Sequence, residues 1–119
     1  MKLKLIERLT ILQILPHEGN FATLKIVRKL QDFLSPSEEE YKEFRIKQSG
    51  EEFVEEDGST SIVAEGQTRW NKKGLEELEI EIGEKATDII IEALEKIDKE
   101  KKLTAQHMSV YEKFVKNKD

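Results

Sequence analysis

The stretch Glu77-Leu78-Glu79-Ile80-Glu81-Ile82-Gly83-Glu84-Lys85-Ala86 changes its period midway. Up to Ile82, apolar and acidic residues alternate, the pattern of a strand with one wet face. From Glu84 onward Ala86, Ile89, Ile90, Ala93, Leu94 and Ile97 recur at helical spacing and form one amphipathic stripe that runs to Lys99. Lys101-Lys102 follow at its C-terminal end, where positive charge suits the helix dipole. Strand and helix periods in separate blocks give an α+β chain.

Upstream, Phe44, Ile46 and Gln48 alternate with Arg45 and Lys47, a second strand pattern. Gly50, Gly58, Gly66, Gly74 and Gly83 punctuate this region at intervals of eight or nine residues, and Asp57-Gly58 is a good hairpin turn. The segments between the glycines share no motif, so this is turn punctuation and not a repeat. Pairing 44–49 with 67–71 leaves residues 51–66 between them. Phe53, Val54, Ile62 and Val63 favour an ordered segment there. The acids Glu51, Glu52, Glu55, Glu56 and Asp57 favour a mobile loop, which is the expectation.

The N-terminal region is helical. Leu5, Leu9 and Leu12, widened by Ile6, Ile11, Ile14 and Leu15, predict a helix over residues 2–15, ended by Pro16 and Gly19. Asn20 is a good N-cap for a second helix, residues 21–34, with Leu24, Val27, Leu30 and Leu34 on one face and Ile26 and Phe33 broadening it. Ser35-Pro36-Ser37-Glu38 reads as a capping box with Ser35 as N-cap, opening a short third helix to about Phe44. At the other end Thr104 caps a last helix carrying Met108, Tyr111, Phe114 and Val115 on one side. The fold expected is an N-terminal helical hairpin with a short third helix, a small antiparallel β-sheet and two C-terminal helices. The 119 residues suit a single domain, helical over residues 1–44, acidic and β over residues 45–83, and helical again over residues 84–116.

Composition removes several functions. There is no Cys, hence no disulfide, thiolate metal site or cysteine nucleophile. No apolar run is longer than three residues, as in Ile89-Ile90-Ile91, far short of the roughly 20 residues of a bilayer helix. Lys4, Glu7 and Arg8 interrupt the start, which lacks the apolar block of a signal peptide; a cytoplasmic location is expected. Neither His17, in a Pro-Gly turn, nor His107, on the last helix, sits in a catalytic or metal-ligand spacing. No clustered glycines cradle phosphates. Glu77, Glu79 and Glu81 share a strand face but lack the partners of a cation loop, so they read as a solvated face. No catalytic residue, cofactor or metal is expected, and the chain reads as non-enzymatic.

Three binding roles follow from charge and apolar excess. Residues 1–34 carry six basic and three acidic groups, residues 35–83 six and fourteen, and residues 84–119 eight of each. The broad apolar faces of the first two helices exceed one stripe per helix, which points to a protein partner or a second copy. Ile11, Ile14, Ile26, Phe33 and Ile91 are the candidate interface. Lys25, Arg28 and Lys29 cluster on the second helix and are the candidate nucleic-acid contact. Two helices joined by a short turn, a third helix and a β-ribbon resemble in order a winged helix, although the third helix, with Glu38, Glu39, Glu40 and Glu43, would repel phosphates. Glu51, Glu52, Glu55, Glu56 and Asp57 form a candidate acidic partner surface, able to occupy a basic groove as an inhibitor would. The sole tryptophan, Trp70, reads as a core plug. Small size, high charge and the lack of catalytic signatures fit accessory proteins carried by phages and mobile elements.

Overall fold

Period and capping place the elements in the order β1 (Lys2–Leu3), α1 (Leu5–Ile14), α2 (Phe21–Leu34), α3 (Glu38–Glu43), β2 (Lys47–Gln48), β3 (Glu52–Val54), β4 (Thr60–Ile62), β5 (Thr68–Arg69), β6 (Leu78–Glu79), α4 (Glu84–Lys99) and α5 (Ala105–Tyr111). A single 3₁₀ turn, Lys72–Leu75, precedes β6, and a π-helical turn, Glu112–Lys116, follows α5. The computed structural model describes residues 1–116. The strands form three separate two-stranded antiparallel ribbons, β1–β6, β2–β5 and β3–β4. The described residues thus form a small α+β fold of five α-helices and short ribbons. No helix among the described residues is long and apolar enough to cross a membrane.

The chain divides into two compact units, residues 1–35 with 77–119, and residues 36–76. Composition breaks the chain near 44 and 83, whereas packing breaks it near 35 and 76. The difference has two causes. Residues 43 and 44, at the end of α3, are tied to the β region: Asn71 N–H donates to the Phe44 carbonyl at 2.8 Å and Asn71 Nδ2 to the Glu43 carbonyl at 2.9 Å. Residues 77–80 in turn bind the N-terminus. Lys2 pairs with Glu79 and Leu3 with Leu78, Ile80 N–H donates to the Met1 carbonyl at 2.8 Å, and the Met1 amine meets Glu79 Oε1 at 2.9 Å.

In the helical unit, α1 starts later than the predicted residue 2. Lys2 and Leu3 are extended because their backbone groups are used by β6. The helix begins where Lys4 N–H donates to Glu7 Oε1 at 2.8 Å. Asn20 caps α2 as expected, accepting from Thr23 N–H at 2.8 Å. The core joins Leu3, Ile11, Leu15, Val27, Leu30 and Leu34 to Ile80, Ile90, Leu94, Val110 and Phe114. Helix α1 packs against α2, α4 and α5, so it is apolar on several sides because it is surrounded. Helix α4 ends in a Schellman motif, with Lys102 N–H on the Ile97 carbonyl (3.0 Å) and Lys101 in the left-handed region at φ 59°. His107 also has a structural role that the sequence does not reveal: its Nδ1 accepts from Thr104 N–H at 2.9 Å and caps α5.

In the smaller unit, α3 is capped by Ser37, whose Oγ accepts from Glu40 N–H at 3.1 Å while Glu40 Oε1 accepts from Ser37 N–H at 3.0 Å. The capping box therefore starts at Ser37 and not at the expected Ser35, which leaves Pro36 outside the helix. β2 and β5 pair as expected, Lys47 with Arg69 and Gln48 with Thr68. Residues 51–66, expected as a mobile loop, contain a hairpin in which Glu52, Phe53 and Val54 face Ile62, Ser61 and Thr60. Its tip is Asp57-Gly58, with Gly58 at φ 89° where a side chain would be strained. The hairpin forms because Phe53 and Val63 are both buried, and two apolar anchors outweigh acids that stay in water or, like Glu55, pair with Arg69. Trp70 is half-buried and its indole lies directly over Gly74. A Cβ at position 74 would overlap the Cδ1 edge of the indole, so Gly74→Ala is expected to destabilise this unit by about 1–3 kcal/mol and to raise solvent exposure of Trp70. Urea titration followed by tryptophan emission, in which Trp70 is the only reporter, measures both.

Candidate functional site

The residues singled out in the sequence fall into distinct places. Ile11 is 0% exposed and lies in the core, so it leaves the candidate interface: a residue without surface offers nothing to a partner. Ile14 and Ile91 are half-buried against the same core, and Ile91 borders a small cleft with Met1, Thr87 and Phe114. Ile26 and Phe33 do come together. With Leu30, Ile82 and Ala86 they line a cleft of about 430 Å³ between α2 and the start of α4, rimmed by Lys29, Lys85, Glu81 and Glu84. Phe33 is 64% exposed, and Phe21, which its spacing does not single out, is 82% exposed.

Lys25, Arg28 and Lys29 are all exposed on α2. Helical spacing puts Phe21, Lys25 and Arg28 on one line along that helix, at i, i+4 and i+7. Two of the three strand-face acids are engaged: Glu79 holds the N-terminal amine, and Glu77 meets Lys113 Nζ at 2.6 Å. Lys113 also reaches Glu7, 2% exposed, at 2.7 Å and the Lys2 carbonyl at 2.8 Å. The Lys113 hydrogen bond holds the Glu77 carboxyl below its ordinary value. For Lys113 desolvation pulls downward, but the hydrogen bonds and charges of Glu7 and Glu77 prevail and its ammonium is raised.

The acidic surface is partly engaged from within: two of its five acids, Glu55 and Glu56, meet a cation, and Glu51 and Asp57 accept hydrogen bonds from neutral donors. Glu55 forms a bidentate pair with Arg69, Nη2 to Oε2 at 3.0 Å, and accepts from Ser61 Oγ at 2.7 Å. The Arg69 hydrogen bond, then that of Ser61, holds the Glu55 carboxyl below its usual range. The Arg69 guanidinium also sits 4.3 Å from the Phe53 ring centroid, a cation–π contact. Asp57 Oδ1 accepts from Ser59 Oγ at 2.6 Å and Ser59 N–H at 2.9 Å, which lowers its titration as well. Glu56 lies 3.5 Å from Lys72, and Glu51 Oε1 accepts from Gln48 N–H at 2.8 Å. Glu52 is exposed on β3.

Two open clefts flank β3. One, about 820 Å³, is lined by Arg45, Phe53, Arg69, Trp70, Asn71 and Leu75 among others; the second, about 610 Å³, by Tyr41, Lys42, Arg45, Ile46, Lys47 and Phe53. Arg45, Phe53 and Val54 belong to both. Little in the sequence signals either cleft, because their walls come from α3, β3 and the segment after β5. No group of three or more His, Asp or Glu among the described residues could hold a metal ion. Compared with family models, curated proteins and solved structures, the chain matches none.

Proposed function

We propose that this chain is a non-enzymatic accessory protein that works through protein contacts inside the cell and self-associates. It fits the type of small, charged protein carried by phages and mobile elements. The observation that carries the reading is the exposed Phe33 ring over the Ile26–Leu30–Ile82–Ala86 cleft. An exposed aromatic beside an apolar cleft loses water contact when covered, and such residues anchor interfaces. The rim carries Lys29 and Lys85 with Glu81 and Glu84. A twofold axis sets each patch against its own copy, so a rim with both signs can complement itself.

Light scattering behind size exclusion tests this. The wild type is expected at twice 13.9 kDa at tens of micromolar. Phe33→Glu is expected to run as the monomer with unchanged far-UV circular dichroism, since that side chain is mostly in water. A wild type that is monomeric throughout would sink the reading.

A second reading has its own support. Lys25, Arg28 and Lys29 project into solvent in line with Phe21, a face that suits phosphates. Replacing all three with Gln should remove any salt-sensitive binding of duplex DNA, and retention of that binding would retire it.

A further inference from the structure

We infer that the free edge of β4 binds an extended basic segment of a partner protein, which adds to the β3–β4 ribbon as a further strand. The site lies wholly within residues 36–76 and does not depend on self-association. Hydrogen bonds show which edge is open. Glu55 N–H donates to the Ser59 carbonyl at 2.7 Å and Val63 N–H to the Glu51 carbonyl at 2.9 Å, and Phe53 faces Ser61 between them. Backbone groups alternate in direction along an antiparallel strand, so those of residues 59, 61 and 63 are spent on β3. Those of Thr60 and Ile62 point the other way, where no described residue bonds them.

This edge lacks the lysine or proline that keeps other strands away from a sheet edge. Residues 58–64 carry neither charge nor proline. Register puts Val54, Thr60 and Ile62 on one face of the ribbon, where Val54 is 42% and Ile62 is 62% exposed. A strand laid along β4 covers Ile62 with its own β-branched side chains and gains up to four backbone bonds from Thr60 and Ile62. Charge then selects the occupant. Asp57 and Glu65 stand at the two ends of the uncharged run, and Glu52 is the cross-strand neighbour of Ile62. None of these three meets a cation among the described residues; the bonds to Asp57 come from Ser59. Residues 36–76 as a whole carry eleven acidic and six basic groups. A second copy on this edge would set two acidic units side by side. A strand with an uncharged β-branched centre and Lys or Arg at either end meets the opposite sign instead.

The test is titration of the ¹⁵N-labelled full chain with the capped peptide Lys-Lys-Thr-Val-Thr-Val-Thr-Lys-Lys, followed by amide shifts and solvent exchange. A dissociation constant on the order of 100 μM is expected for so short an edge. At about 1 mM peptide the Thr60 and Ile62 amides should then exchange about tenfold more slowly. Raising salt from 50 to 300 mM should weaken binding about fivefold or more, because the flanking pairs are exposed. The same peptide with alternate central residues N-methylated should not bind, nor should the version with Glu in place of Lys. Ile62→Pro removes an outward N–H that the β3 ladder does not use, so it should keep the urea midpoint and lose most of the affinity. Glu52→Lys with Glu65→Lys changes only exposed side chains and should weaken binding several-fold and flatten its salt dependence. Absent binding, equal binding of the N-methylated or the Glu-flanked peptide, or wild-type affinity in both variants would each overturn the inference. Slow exchange at Thr60 and Ile62 in a dimeric protein without peptide would assign the edge to a second copy and overturn it too.

Discussion

Ile11→Glu is expected to abolish the folded helical unit: far-UV circular dichroism near 222 nm should fall steeply and the cooperative thermal transition should disappear. Ile11 is 0% exposed and belongs to the core cluster that joins α1 to α2, α4 and α5. Glutamate there loses the transfer free energy of the isoleucine and adds a carboxyl group whose charge has no partner. The first effect costs about 2–5 kcal/mol and the second several more, against a total stability of about 5–15 kcal/mol for a domain. The same substitution at Phe33 places the carboxylate in water, so it should change native mass and leave the fold alone. The pair separates core from surface on two helices whose apolar patterns look alike. An Ile11→Glu protein with wild-type dichroism would show that Ile11 does not lie in the core.

That contrast shows why the interface was only partly legible. The stripe of helix α2 was legible in three of the four residues that its spacing selects, since Val27, Leu30 and Leu34 are buried whereas Leu24 is 37% exposed. Helix α4 was legible from Glu84 to Lys99 for the same reason. Helix α1 is apolar nearly all round, which periodicity cannot divide into core and surface, because three other helices surround it. The two-residue strand β1 was hidden because so short a segment has no period, and only β6, more than 70 residues away, defines it. The capping box slipped by two residues because Ser35 and Ser37 have the same chemistry and flank Pro36. In the 52–62 hairpin the five acids suggest a loop and the apolar residues an ordered segment, and the burial of Phe53 and of Val63 beside it decides for order. The clefts around β3 take their walls from segments far apart in sequence, and no local pattern marks them.

Lys113→Met is expected to lower the stability of the helical unit by about 2 kcal/mol. Its ammonium joins three segments distant in sequence: Glu7 on α1, Glu77 beside β6 and the Lys2 carbonyl in β1. Removing it leaves the Glu7 carboxyl, 2% exposed, with the Lys4 N–H as its remaining bond in this group. Breaking a fully buried pair by deleting one partner costs about 3–5 kcal/mol; here Lys113 keeps 25% of its side chain in water, so the expected loss is smaller. Glu7→Gln with Lys113→Met should recover some of it, since the isolated charge is then gone. The acid limb carries a second signature. Glu77 titrates below its ordinary 4.5 because of the Lys113 hydrogen bond, so the stability it contributes is present above pH 4.5 and lost as pH falls through the lowered value. Lys113 is raised above 10.5, so its own contribution is complete below that pH and disappears as pH climbs through the higher folded value. In Lys113→Met both slopes should flatten in urea midpoints measured from pH 3 to 11. Midpoints that track wild type at both ends would show that this three-way tie does not couple the termini to β6.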